Sequence, residues 1–517
     1  MTFKDRLMSP GSWTPGTWLW LLMSICAVYA ARHWFIYDGF VDFFRDEATY
    51  LPVIFKHSDP SLYPKDYFLA NFHTATGFFL DVSSGLLRFA GGDLKTFLLS
   101  SSTVLLFVFV SGVFVLVRAL TGNPAAAFLA GLLLIRPREA MGGVGFAVYV
   151  GNYQPRIFID AVTPWLFWGL LAHGTLRAHI VIGVFLGLAS WFYPVYPMQL
   201  AAAFVLISVI MKRSREALSL GAAFIVPFVL YHFPALLRAA PPLTETAVQA
   251  LNFRCGDDVY PRAGVILGQF SRNFSLPLAL GLAGFAACPD CVRKNFKLRS
   301  FLLTVPVVAV IIVAGVLVYL IPAALPLLPL RLGRLYHLVF LSVGAACAVP
   351  VMARRGSPYL KGLLALLVLA NLLYTSPVTF SRGSGQGRRA EVTASEKDDF
   401  LAVAEAARSL TPVDAVFLIP PDGANHFSVY SRRAIVVSFK TLSSLTDSKI
   451  LEYWFKTYRD VAAAYRSGDL GTIRKAASRY GADYVLLADE AQTPEPPLFR
   501  RGRYSIYPVG GGERESP

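Results

Sequence analysis

The chain has 517 residues, of which 55% are hydrophobic and only 16% are charged, and its mean hydropathy is +0.51. This composition excludes a soluble globular protein and predicts an α-helical polytopic membrane protein. The formal net charge of +15 is accounted for mostly by basic clusters between apolar segments, so it indicates membrane topology rather than nucleic-acid binding.

The first apolar segment, Thr17–Phe35, follows the basic residues Lys4 and Arg6 and could be either a cleaved signal peptide or an uncleaved signal anchor. Its length and the interface-type residues Trp18 and Trp20 favour the anchor. Either alternative places the following segment on the same side of the membrane.

The apolar segments predict about eleven membrane spans in all. After the first, they lie near residues 97–118, 123–135, 157–174, 178–194, 196–211, 217–236, 270–288, 301–321, 333–352 and 361–377. The segment 123–135 is short, and the prolines between 194 and 197 could instead kink one continuous helix.

Lys and Arg accumulate in short cytoplasmic loops, and a cytoplasmic N-terminus places all three clear basic clusters inside. These clusters are 212–215, 293–299 and 354–361. The same topology predicts an extracytoplasmic position for residues 37–96, 136–156, 237–269, 322–332 and everything after 378.

The C-terminal part differs in character and predicts a small extracytoplasmic α/β domain. The expected boundaries are a transmembrane domain at 1–378 that includes the first outer loop 37–96, a linker at 379–390, the α/β domain at 391–510 and a disordered tail at 511–517. Within the domain, helical spacing covers 396–410, strand patterns cover 414–419, 434–438 and 483–487, and 503–507 is expected to be an edge strand.

The five cysteines give no disulfide framework. Cys26 and Cys347 fall within spans, where a small packing residue is the ordinary interpretation. Cys288 and Cys291 have CxxC spacing, but a zinc site would need further ligands that the sequence does not place nearby.

An adjacent acidic pair, Asp46 and Glu47, stands just after the first span in an otherwise apolar chain. Acidic residues are favourable in the first turn of a helix, and Arg45 could pair with either, so a structural role is one alternative. The surrounding aromatics could form a sugar-facing platform or pack at headgroup level. They are Tyr37, Phe40, Phe43, Phe44 and Tyr50.

Several arginines lie in predicted extracytoplasmic segments. The accumulation of Lys and Arg in cytoplasmic loops does not explain them. Arg331 and Arg334 follow a segment broken by prolines at 322, 326 and 329, and irregular backbone at membrane depth usually lines a cavity. The planar guanidinium group suits a phosphate, whereas snorkelling to the interface is the alternative. The remaining outer arginines are Arg136, Arg138, Arg156, Arg254 and Arg262.

The segment 45–50, RDEATY, resembles the acidic first-outer-loop motif of the GT-C glycosyltransferase superfamily. The Asp-Glu order is similar to that of protein O-mannosyltransferases, and a helical bundle with an outer C-terminal domain is similar to oligosaccharyltransferases and aminoarabinose transferases. The tail, through 414–421 and 480–487, looks like that of bacterial multi-pass membrane proteins of this kind. The resemblance covers the architecture of the whole chain and one short motif.

The resemblance implies a membrane glycosyltransferase, moving a hexosyl or pentosyl group from a polyprenyl-phosphate donor to a glycan, lipid or protein acceptor in the bacterial cell envelope. Asp46 would be the general base, and Glu47 would orient it or help to hold a divalent cation, with no other cofactor expected. The lipid phosphate would be bound by Arg331, Arg334, His337 and Arg156. The expected location is the inner membrane, with the C-terminal domain outside.

Other polar residues have ordinary alternatives. Asp160, near the start of a span, is expected to pair with Arg156, and His337 could be a satisfied interior histidine. Lys65, Asp66 and His73 are expected on a solvated surface around short interfacial helices at 51–72.

Two other classes of function remain open. A transporter or flippase of a lipid-linked or anionic substrate would place ionisable groups near the bilayer midplane and show related halves, and the sequence has few such groups and no evident repeat. A noncatalytic scaffold would use the outer α/β domain to bind a partner. That domain has no evident catalytic motif, since Asp422, His426 and Lys440 are scattered over predicted loops.

Overall fold

The computed structural model describes the chain in thirteen stretches. They are residues 14–36, 47–72, 77–135, 153–237, 243–255, 263–318, 329–353, 357–373, 394–422, 426–439, 441, 447–488 and 495–510. Asp46, His73, Lys440, the predicted linker 379–390 and the predicted tail 511–517 lie outside them.

The chain divides into two compact units. One contains Met1–Gly39, Asp93–Arg238 and Asp257–Ser381, and the other contains Phe40–Gly92, Ala239–Gly256 and Arg382–Pro517. The segments 40–92 and 239–256 therefore belong to the same unit as the C-terminal α/β fold.

The first unit is a helical bundle. Its helices are α1 (Pro15–Ile36), α5 (Leu94–Thr121), α6 (Pro124–Leu134), α7 (Pro155–Trp168), α8 (Leu176–Ala189), α9 (Val195–Ile210), α10 (Ser214–Leu237), α12 (Ala263–Ala287), α13 (Pro289–Arg293), α14 (Phe296–Leu302), α15 (Thr304–Val318), α16 (Leu335–Ala353) and α17 (Pro358–Leu373). A π-helical turn, Gly169–His173, follows α7, and a 3-10 turn, Pro329–Arg334, precedes α16. Because α8 ends at Ala189 and α9 begins at Val195, the prolines near 194 separate two helices.

The described residues contain four helical segments that are long and apolar enough to cross a membrane. They are Leu94–Thr121, Ser214–Phe233, Phe296–Ala314 and Leu332–Ala353. Five shorter apolar helices accompany them, of 10–17 residues each. The protein is thus a mostly helical, multi-pass membrane protein, and the number of about eleven spans stays a prediction.

Small residues allow close helix packing in this bundle. Gly183 and Gly187 are four residues apart on α8 and face α10: a Cβ on Gly187 would lie 2.7 Å from the Phe224 carbonyl oxygen, and one on Gly183 would meet the Leu220 carbonyl. This is the small-xxx-small arrangement by which membrane helices gain van der Waals contact. Leu230, which is 72% exposed on α10, points away from the packed core, as expected of a lipid-facing residue.

The second unit combines short helices with a five-stranded sheet. The helices are α2 (Glu47–Ser58), α3 (Tyr67–Ala70), α4 (Gly77–Phe89), α11 (Glu245–Cys255), α18 (Ala394–Leu410), α19 (Phe427–Ser431), α20 (Ser448–Ser467) and α21 (Leu470–Arg479). The strands are β1 (Val416–Leu418), β2 (Ala434–Ile435), β3 (Tyr484–Leu487), β4 (Phe499–Arg501) and β5 (Tyr504–Pro508). The helix predicted at 396–410 and the three strands predicted at 414–419, 434–438 and 483–487 are confirmed, with shorter strands than expected.

The strand order is β2-β1-β3-β5-β4, with β1 parallel to β2 and β3 and with β5 antiparallel to β3 and β4. The prediction that 503–507 forms an edge strand was wrong, because β4 pairs outside β5. The short segment 499–501 carries two exposed arginines and has no apolar alternation that would reveal it as a strand.

Helices from the first predicted outer loop pack on the α/β fold within the second unit. The Tyr63 hydroxyl donates to the Ser428 carbonyl at 2.8 Å, and the Ile435 amide donates to Asp66 Oδ2 at 3.4 Å. Lys65 Nζ lies 2.7 Å from an Asp414 carboxylate oxygen. The interpretation of Asp66 as a solvated residue was wrong, since it is only 3% exposed and caps α3 by accepting from the Leu69 amide.

Cys288, which caps the start of α13, forms a disulfide with Cys291 inside that helix. The CxxC spacing alone did not predict this bond. The two Cα atoms are 5.4 Å apart, a separation that the intervening Pro289 turn produces locally.

Candidate functional site

The acidic pair falls at the start of α2, in the second unit. Glu47 is the first residue of this helix, and Asp46 precedes it outside the described residues. The helix is held by buried Leu51 and Ile54 and by an edge-to-face contact between Tyr50 and Phe79 of α4, with ring centroids 5.7 Å apart. The backbone at Glu47 is therefore anchored by the packing of α2 against α4.

The bundle contains a second candidate element, a cluster of buried polar residues on α7, α9 and the turn before α16. Arg156 and Asp160 on α7 are 3% and 1% exposed, and Arg334 at the end of the 3-10 turn is 1% exposed. Pro155 occupies the first turn of α7, where its missing N–H costs nothing. Ionisable side chains within an apolar bundle are costly unless they are paired or functional.

Arg334 and Asp160 form a buried ion pair. Arg334 Nη1 donates to Asp160 Oδ2 at 2.8 Å, and the Arg334 guanidinium carbon lies 4.9 Å from the centre of the Tyr196 ring. Arg156 also acts electrostatically on the Asp160 carboxylate. Arg156 was the expected partner of Asp160, but the direct hydrogen bond comes from Arg334, 174 residues away.

Two buried polar atoms of the cluster lack a well-formed hydrogen bond, although Tyr196 lies close enough to Asp160 and Thr163 to interact with both. Asp160 Oδ1 and the Tyr196 hydroxyl are buried, and neither has a hydrogen bond of normal geometry to any described residue. Such buried atoms usually mark a place for water, an ion or a ligand group. The Asp160 carboxylate and the Tyr196 hydroxyl can therefore interact with each other as well as with a bound water or ligand group.

The other residues predicted to bind phosphate lie close in sequence to this pair. His337 is fully buried on α16, with its ring centroid 4.5 Å from that of Phe274. Arg331 belongs to the 3-10 turn Pro329–Arg334, and its side chain is outside the described residues. The turn places Arg334 within hydrogen-bond distance of Asp160. The positions of the Arg331 and Glu47 side chains stay predictions.

Comparison with solved structures shows one informative match. The archaeal oligosaccharyltransferase AglB of Archaeoglobus fulgidus, in complex with an inhibitory peptide and a dolichol-phosphate, aligns over 92% of this chain and 70% of its own, with a TM-score of 0.52 and 12% identity. AglB is a GT-C superfamily enzyme. The chain has a GT-C-like fold.

Two further comparisons give a weaker or a shorter match to this chain. The apo structure of the Archaeoglobus fulgidus oligosaccharyltransferase covers 91% of it and 69% of that protein, with a TM-score of 0.49 and 12% identity. A family described as a domain of unknown function, DUF6798, matches residues 398–461, which run from α18 into α20. No curated protein matches the sequence.

The part of the chain that the structure describes contains no group of three or more His, Cys, Asp or Glu residues arranged to hold a metal ion. Asp46 is outside that part, so the possible divalent cation at Asp46 and Glu47 stays a prediction.

Asp66 gives a testable pH dependence to the second unit. Burial raises the pKa of Asp66 to about 6, although the Leu69 and Ile435 amides favour its charged form. An unfolded Asp has a pKa of about 3.9. Between these two pKa values, Asp66 holds a proton in the native state that it has lost in the unfolded state. Its contribution to the free energy of unfolding is therefore complete below about pH 4 and is lost as the pH rises to about 6.

We therefore expect the free energy of unfolding of the wild type to decrease between pH 4.5 and pH 6.5. In Asp66→Asn this decrease should be absent. Urea unfolding of the purified protein, followed by tryptophan fluorescence to which buried Trp454 contributes, measures this dependence. Asp398→Asn, at an exposed position of α18, is the matched control. An identical pH slope in wild type and Asp66→Asn would contradict the assignment.

Proposed function

We propose that the protein is a membrane glycosyltransferase that moves a sugar from a polyprenyl-phosphate donor to an acceptor outside the membrane. The observation that supports this most strongly is the GT-C-like fold, which extends over 92% of the chain in the alignment with AglB. That AglB structure contains a dolichol-phosphate, a polyprenyl-phosphate lipid of the proposed donor class. The proposed location is the bacterial inner membrane, with a cytoplasmic N-terminus and both Asp46 and the α/β fold on the outer side.

In the proposed reaction, Asp46 acts on the acceptor. An acceptor hydroxyl is a weak nucleophile, and a carboxylate within hydrogen-bond reach accepts its proton as the new glycosidic bond forms. The bond between the sugar and the phosphate breaks at the same centre, and the lipid phosphate leaves with the bonding electrons. Glu47 orients Asp46 or shares a divalent cation with it.

The departing phosphate needs positive charge, and the bundle supplies the candidates. Arg334 uses one N–H on Asp160 and has further donors, since a guanidinium group carries five. Because Asp160 neutralises part of the charge of Arg334, we propose that Arg334 mainly stabilises the 3-10 turn. Arg331, on the same turn, then binds the phosphate. Arg156 and His337 complete the proposed phosphate site.

A lipid-linked substrate flippase is the second candidate, and the buried pair of Asp160 and Arg334 favours it. Intramembrane ionisable pairs are common along translocation routes. In that case the donor would cross the bilayer without any bond being broken.

Reconstituted liposomes separate the two functions. Purified protein is incorporated with polyprenyl-phosphate sugars labelled in the sugar, and an acceptor extract from the cell envelope is supplied outside. The proposal predicts label in an acceptor together with free polyprenyl phosphate. Label that only changes leaflet on intact donor would instead establish the flippase.

Binding of the leaving group gives a separate prediction for Arg331. We expect polyprenyl phosphate at saturating concentration to raise the melting temperature of the detergent-solubilised protein by about 3 °C or more, since a ligand that binds only the folded state stabilises it. Arg331→Gln should remove most of the shift, and Arg293→Gln, at an exposed site on α13, should retain it. Polyprenol without phosphate is the lipid control, and an equal shift with polyprenol would contradict phosphate recognition.

A further inference from the structure

A cleft opens within the second unit between α20, the end of β1 and α11. It is open to solvent and has a volume of about 650 Å³, which is within the range of roughly 300–1,000 Å³ typical of small-molecule sites. One wall is a single face of α20, because the lining residues recur at helical spacing. They are Phe455, Tyr458, Arg459, Ala462, Tyr465 and Arg466.

The cleft lies at the carboxyl ends of two parallel strands. The Tyr465 hydroxyl is 2.9 Å from the Leu418 carbonyl oxygen at the end of β1 and 2.8 Å from the Leu486 carbonyl oxygen in β3. From β1 the chain continues to β2 on one side, while β3 lies on the other. Open α/β sheets bind ligands in the crevice at such a switch point.

The polar groups of the cleft have a net positive charge. Arg459 and Arg466 are both exposed, and neither forms an ion pair with any described carboxylate. The Arg459 guanidinium carbon lies 5.4 Å from the centre of the Phe455 ring, which holds its planar head over the helix face. Asp422, the one acid of the lining, accepts a hydrogen bond from the Tyr458 hydroxyl.

Aromatic surface accompanies this charge. Phe253 of α11 is 41% exposed, and its ring centroid is 5.5 Å from Phe455 and 5.3 Å from Tyr458. The negative face of an aromatic ring attracts the electropositive C–H edge of a pyranose. Asp422 can accept from sugar hydroxyls, while the arginines donate bidentate hydrogen bonds to carboxylates.

We propose that this cleft binds an acidic oligosaccharide, with sugar rings on Phe253 and Phe455 and uronate carboxylates on Arg459 and Arg466. The two arginines are seven residues apart on one helix, and their Cα atoms are therefore about 10 Å apart along its axis. One sugar spans only about half of that distance, so the spacing suits an oligomer with a carboxylate on each sugar, which presents carboxylates two sugars apart, better than a single anion. The site does not depend on glycosyl transfer.

Calorimetric titration of the full-length protein in detergent tests this, with tetragalacturonate as probe and maltotetraose as its neutral counterpart. We expect tetragalacturonate to bind at least tenfold more tightly than maltotetraose, and this difference to shrink as salt screens the charges. Arg459→Gln and Arg466→Gln should each weaken tetragalacturonate binding by about tenfold, as expected for a lost charged hydrogen bond. Arg500→Gln, at an exposed position of β4, should leave it unchanged.

Ala462→Trp places a large side chain in the middle of the cleft wall and should abolish binding, with circular dichroism confirming that the variant is folded. Failure of the wild type to bind tetragalacturonate would overturn the proposal. So would equal binding of maltotetraose, or unchanged binding by the Arg459→Gln/Arg466→Gln double variant. Because no readout is enzymatic, such a failure is distinguishable from failure of the proposed transferase function.

Discussion

Asp46→Asn is expected to lower the rate of sugar transfer by about 10²- to 10⁴-fold, the range that a positioned general base contributes. The loss should fall on kcat, because the amide retains the size and hydrogen-bonding reach of the carboxylate but cannot accept the acceptor proton. Initial rates with saturating lipid-linked donor measure it.

The substitution also separates catalysis from a structural role. Asp46 stands immediately before the first residue of α2, and Asn caps helices about as well as Asp does. If the acid served only to start the helix, Asp46→Asn would leave transfer near the wild-type rate. Glu47→Gln should have a smaller effect than Asp46→Asn, and Asp398→Asn none.

Arg334→Ala is expected to destabilise the bundle by about 3–5 kcal/mol, the usual cost of leaving a buried charge without its partner. Asp160 would lose its hydrogen bond to Nη1 at a position only 1% exposed, and the removed side chain would leave a cavity beside Tyr196. Unfolding of the purified protein in mixed micelles, titrated with denaturing detergent, measures the change.

The double variant Asp160→Leu/Arg334→Met is the control for this prediction. Replacing both members of a buried ion pair with apolar side chains of similar size is often neutral or stabilising, so it should recover most of the lost stability. A loss below about 1 kcal/mol in Arg334→Ala would show that water reaches Asp160 and that the site is not sealed.

Local patterns in the sequence were sufficient for the helices and the core strands. The apolar run before Pro420 predicted β1, and the helical spacing of 396–410 predicted α18 almost to its ends. The resemblance to the GT-C superfamily is confirmed at the level of fold. These features depend on hydrophobic periodicity and turn residues within short windows, which a single sequence displays.

Those local patterns did not predict the contacts between segments that are distant in the sequence. Asp66 meets Ile435 across 369 residues, and Arg334 meets Asp160 across 174. Nothing local to Asp66 distinguishes a solvated acid from a buried cap, since both occur before short helices. For Asp160 a signal existed: an acid within an apolar span requires a cationic partner, and Arg334 was one of few candidates.

The chemical fate of the donor shows most directly whether the protein transfers the sugar. Purified protein is incubated with a polyprenyl-phosphate sugar and acceptor, and the lipid products are analysed by mass spectrometry. We expect the wild type to form free polyprenyl phosphate in amounts equal to the glycosylated acceptor, and Asp46→Asn to form almost none. Intact donor in every sample, or equal turnover by the wild type and Asp46→Asn, would contradict it.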